Sequence, residues 1–104
     1  MNKIIIGSSE KELSEASESW ITQQVRERQH AGETFCVRVV LKTDCVDMIL
    51  ATLGCGSGGG GGRSPNHKEQ EIFALWNERH LNQPGWAVGN LIAFIKQLRR
   101  LCLN

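Results

Sequence analysis

The chain reads as an α+β domain, on three observations. Apolar residues recur at helical spacing near both ends, they alternate with period two in between, and seven of the eleven glycines fall between Gly54 and Gly62. The expected order is an N-terminal helix, an antiparallel β-hairpin, a disordered glycine-rich loop and two C-terminal helices, with residues 3–6 as an optional third strand.

The first helix is expected over residues 10–29, where Leu13, Ala16, Trp20, Ile21 and Val25 share one face. Ser9 with Glu12 has capping-box spacing, Ser14 and Ser17 are alternative caps, and Ala31-Gly32 supplies the stop. Residues 1–8 are expected to be flexible or a minor strand. Phe35, Val37, Val39 and Leu41 alternate with Cys36, Arg38, Val40 and Lys42, the pattern of a half-buried strand. Thr43-Asp44 can turn the chain so that residues 45–52 return antiparallel. A short helix from Asp44 competes, but β-branched Val46, Ile49 and Thr52 favour the strand.

Residues 54–64 have almost no side chains to bury and read as a flexible loop. The next helix opens at Ser64 with Pro65, or at Asn66 with Glu69 three residues on, and carries Ile72, Phe73, Leu75 and Trp76 to about Arg79. Pro84-Gly85 marks a turn. Val88, Leu91, Ile92, Ile95, Leu98 and Cys102, flanked by Phe94 and Leu101, then define the last helix.

At 104 residues, 40% hydrophobic, 22% charged and +1 net, the chain has room for one domain, residues 1–104, and one core. It lacks an apolar run of the roughly 20 residues a bilayer span needs. Ile4-Ile5-Ile6 is too short for the core of a signal peptide. Four dispersed cysteines, Cys36, Cys45, Cys55 and Cys102, suit reduced thiols, with Cys36 and Cys102 as small core residues and Cys55 in the loop. A cytoplasmic location is the expectation, with no membrane partner.

The glycine run lacks the features of a phosphate cradle. It ends Gly62-Arg63-Ser64-Pro65 without the lysine that reaches phosphate, and Pro65 removes an amide. Gly54, Gly56 and Gly59 fit a dinucleotide pattern only as any glycine tract does. Cys45, Cys55, His67 and His80 show no local chelate spacing, so no metal site and no cofactor are expected. Cys55 between glycines, with His67 or His80 as base, would place a nucleophile on the most pliable segment, and Asp44 with Asp47 is ordinary turn chemistry. No catalytic residue is assigned, and an enzyme using a thiol or phosphate is the least favoured class.

Trp20 and Trp76 fall on core stripes. Trp86 stands off the last helix's stripe, and either closes the turn against Leu81 and Pro84 or anchors a partner. With Gly89, Ala93 and Lys96 it defines a contact face. The favoured function is therefore a non-catalytic protein-interaction or regulatory module whose partner is another protein, a second copy included. The alternative is a nucleic-acid-associated regulator using Arg63, Lys68, Lys96, Arg99 and Arg100, with Arg38 and Lys42 extending the basic face. A chain of nearly balanced charge without an aromatic platform argues against it.

If the glycine run is a linker, deleting Gly58 to Gly61 leaves the fold intact, because loop-closure entropy changes slowly with length. Thermal denaturation checks this: the expected melting temperature stays within a few degrees, and a large drop counts against the linker.

Overall fold

The computed structural model describes residues 2–44, 46–52 and 66–102, and leaves the side chain of Cys102 undescribed. The expected glycine-rich loop and the positions of Cys45, Cys55 and Arg63 lie outside these residues. Among the described residues there are four strands and three helices: β1 (Lys3–Ile6), β2 (Ser9–Glu12), α1 (Glu18–His30), β3 (Val37–Lys42), β4 (Asp47–Ala51), α2 (His67–Glu78) and α3 (Val88–Cys102). The class is α+β, with the hairpin and the two C-terminal helices in the expected order.

Residues 3–6 take the strand option, and they form an inner strand. The sheet order is β2-β1-β3-β4, antiparallel throughout. Gly7, with φ of +61°, occupies the first of two turn residues between β1 and β2, where hairpin geometry calls for a positive φ.

The expected helix over residues 10–29 is shorter at its start. Ser9–Glu12 pairs with β1, and the helix begins at Glu18, capped by the Ser17 hydroxyl, which accepts the Trp20 N–H at 3.2 Å. Main-chain bonds to a neighbouring strand here override the helix preference of Glu10, Lys11 and Glu12. Leu13 and Ala16 are buried as expected, but in the connection between β2 and α1.

Period-two alternation makes the sheet one-sided. Ile4 and Ile6 lie opposite Val39 and Val37, Leu50 lies opposite Val39, and all five are buried beneath the helices with Leu41. Lys3, Ile5, Arg38, Val40, Lys42, Asp47, Ile49 and Ala51 take the other face.

From above, α1 contributes Ile21 and Val25, α2 contributes Ile72 and Trp76, and α3 contributes Leu91, Phe94, Ile95 and Leu98. Helix α3 packs against both other helices, and Trp76 meets Phe94 edge to face at 5.1 Å. One correction falls on α2: Phe73, expected on the core stripe, is 52% exposed. Ile72 and Trp76, one turn apart, take the inward direction, and Phe73 follows Ile72 by about 100° around the helix.

A second correction concerns the thiols. Cys36 is half-buried and disulfide-bonded. Reduced cysteines were inferred from sequence spacing, which does not encode the through-space approach that permits a bridge.

Helix α2 ends in a Schellman arrangement. The Leu81 N–H donates to the Trp76 carbonyl at 3.3 Å and the His80 N–H to Asn77 at 3.0 Å, while Leu81 is buried. The left-handed residue is His80, with φ of +58°, where glycine is usual. A side chain in that region costs about 1–2 kcal/mol, so His80→Gly is expected to stabilise the fold by about 1 kcal/mol. That is a rise of roughly 4–8 °C in a thermal melt of a domain this size.

Candidate functional site

The predicted contact face on α3 combines half-buried and exposed residues, two of which have partners within the chain. Trp86 is half-buried and meets Phe35 edge-on, with ring centroids 6.2 Å apart. Lys96 forms an ion pair with Glu18 at the start of α1, and Ala93 is half-buried. Gly89 is exposed, and a methyl group there would meet nothing within 4 Å. The ring partner of Trp86 is thus Phe35, a contact the sequence reading did not name.

The basic residues are spread over different tasks. Arg99 donates from Nη2 to the carbonyls of Leu13 at 2.7 Å and Ala16 at 2.5 Å, tying α3 to the β2–α1 connection. Lys96 is paired as above, Lys68 is half-buried in the first turn of α2, and Arg100 is exposed. Arg38 and Lys42 lie on the open sheet face. Among the described residues, that face presents aliphatic and charged side chains and no aromatic ring on which a base could stack.

His67 and His80 are exposed at opposite ends of α2, and Cys45 and Cys55 lie outside the described residues. Among the described residues, no group of three or more His, Cys, Asp or Glu side chains is placed to hold a metal ion. No helix among them is long and apolar enough to cross a membrane.

The surface that stands out lies along β4 and α2. In the antiparallel register, Met48 and Leu50 turn their main-chain groups toward Leu41 and Val39, so Asp47, Ile49 and Ala51 turn theirs outward. The Thr52 N–H donating to Val37 O at 3.0 Å confirms that phase. Glu69, only 2% exposed, closes the start of this edge. Its Oε2 accepts the Asp47 N–H at 2.9 Å, while its Oε1 accepts the Asn66 N–H at 2.9 Å in a complete capping box.

Beyond Asp47 no described strand pairs with β4, and among the described residues the outward groups of Ile49 and Ala51 have no hydrogen-bond partner. Ile49, 45% exposed, flanks this edge on the open sheet face. Phe73 flanks it on the helix side, where it lines a shallow apolar cavity of about 380 Å³ with Met48, Glu69, Gln70, Ala74 and Asn77. The Asn77 Oδ1 is buried without a hydrogen-bond partner.

Sequence reasoning passed over Ile49 and Phe73, although a signal existed. Met48-Ile49-Leu50 cannot all point inward from a strand, and Ile72 and Phe73 cannot share one direction on a helix. No protein-family model, curated protein or solved structure matches the chain, so the site is read from its geometry.

Glu69→Ala removes the hydrogen bond that seats α2 on Asp47 of β4 together with the capping-box bond to Asn66. The expected loss is about 2–3 kcal/mol, measured by chemical denaturation, with faster amide exchange at Asp47 and Asn66.

Proposed function

We propose that this protein is a non-catalytic interaction module that binds another polypeptide by accepting an extended strand along β4. The supporting observation is the pair of outward main-chain groups at Ile49 and Ala51, flanked by exposed Ile49 and Phe73. An edge strand offers donors and acceptors at every second residue, which give affinity to any extended chain, while flanking apolar side chains give selectivity. The cavity beside Phe73 would take an apolar side chain of the incoming strand.

This reading moves the contact surface from Trp86, Gly89, Ala93 and Lys96 to β4 and α2. The α3 face has its lysine neutralised by Glu18 and its tryptophan engaged with Phe35. The basic residues of the nucleic-acid alternative offer less, because the guanidinium of Arg99 is committed to two main-chain carbonyls.

Titration with a synthetic extended peptide of alternating valine and threonine, followed by amide NMR, tests the proposal. The expected outcome is a shift of the Ile49 and Ala51 amides, lost in an Ile49→Lys, Phe73→Ser double variant whose thermal melt stays near wild type. Absence of shifts along β4, or shifts centred on Trp86 and Lys96, would sink it.

A further inference from the structure

We infer that the occupant of the β4 edge is a second copy of this chain, its β4 pairing antiparallel with this one about a two-fold axis between the two Leu50 residues. The inference rests on the strand-addition reading above and names its partner.

The main-chain pattern is self-complementary. With the axis at Leu50, Ile49 of one copy lies opposite Ala51 of the other, and both outward-facing pairs exchange N–H and C=O groups. The unpartnered groups at both positions are then all used. A register centred on Ile49 instead sets Asp47 opposite Ala51, and the Asp47 N–H is already given to Glu69. Glu69 therefore disfavours the Ile49-centred register, and an Ala51-centred one would set Ile49 opposite position 53, beyond the end of β4.

Side chains and charge fit the same arrangement. On the open face, large Ile49 lies beside small Ala51 of the other copy. On the helix side, exposed Phe73 and the apolar cavity bordered by Met48 and Ala74 lie beside this same edge in each copy. Met48, Ile49, Leu50, Ala51, Phe73 and Ala74 carry no charge, and Glu69, the charged residue lining the cavity, is buried with its carboxylate bonded to the Asp47 and Asn66 N–H groups.

The opposite edge is guarded by charge. At β2 the outward residues are Glu10 and Glu12, and the Glu12 carbonyl already accepts the Glu15 and Ala16 N–H groups at 2.9 and 3.0 Å. Pairing through β4 about a two-fold axis thus gives a dimer with a continuous eight-stranded sheet, four described strands from each copy, and glutamates along both outer edges.

Light scattering across a range of concentrations, with amide exchange read residue by residue, tests this on the full chain. The expected mass is twice the 11.6 kDa of the chain, with Ile49 and Ala51 amides slowing as concentration rises. Ala51→Pro removes an outward N–H that the monomer does not use, and proline is tolerated at such edge positions. It is expected to abolish the doubled mass while Met48 and Leu50 amides stay slow, and Ile49→Lys is expected to do the same without altering the backbone. A doubled mass that survives both variants places the dimer on another face and overturns the inference. So does a monomer at every concentration: if the alternating peptide still shifts Ile49 and Ala51, strand addition stands without self-pairing, and if it does not, both readings fall together.

Discussion

The interaction on which the rest of the molecule depends is the burial of Ile4 and Ile6 against Val39 and Val37. Side chains on a strand alternate, so a slip of one residue between β1 and β3 would exchange these aliphatics for Lys3, Ile5 and Arg38. Each buried aliphatic contributes about 1.5–3 kcal/mol, whereas an unpaired buried lysine or arginine costs several. One register therefore wins by a wide margin. It decides which sheet face the helices cover, and hence that α2 runs beside β4 with Glu69 in reach of Asp47.

Polar ties then secure the ends of the layers, where apolar packing runs out. Arg99 satisfies carbonyls in the connection that leads from the β2 edge up to α1, a segment with few partners of its own. Arg28 does comparable work at the β1–β2 turn, reaching the Ser9 hydroxyl at 3.0 Å and the Gln24 side chain at 3.0 Å. Its guanidinium lies so close over Gly7 that a Cβ there would stand 2.3 Å from Nε. Glycine at position 7 thus answers two demands, a positive φ and a close approach. These cations act within the fold.

What was legible in the sequence is what is encoded locally. The Asn66–Glu69 capping box, the alternation through Val37, Val39 and Leu41, and the helical period of Leu91, Ile95 and Leu98 each depend on residues a few positions apart. Ser9–Glu12 was not legible as a strand, because Ser-Glu-Lys-Glu has no apolar period and its conformation comes from hydrogen bonds to β1. The ring contact between Phe35 and Trp86 joins chain segments far apart in sequence, and the disulfide at Cys36 depends on a through-space approach that spacing does not encode. The candidate site belongs to this second class. Alternation fixes that one of Met48, Ile49 and Leu50 faces away from the core, yet only the assembled sheet reveals β4 as an edge.

The two edges of the sheet are managed differently, and folding alone does not demand the difference. At β2 the exposed positions are glutamates, which discourage pairing with another chain, and the following turn consumes the Glu12 carbonyl. At β4 the core requires apolar side chains only at Met48 and Leu50. A threonine or lysine at position 49 would keep the same alternation, and a glutamate or lysine at position 73 would suit an exposed helix site better than phenylalanine does. Ile49 and Phe73 carry solvent-exposed apolar surface that contributes little to the fold, beside an edge that no described strand covers. Both lie along one strand whose free main-chain groups already offer a template, so surface and template point to the same contact.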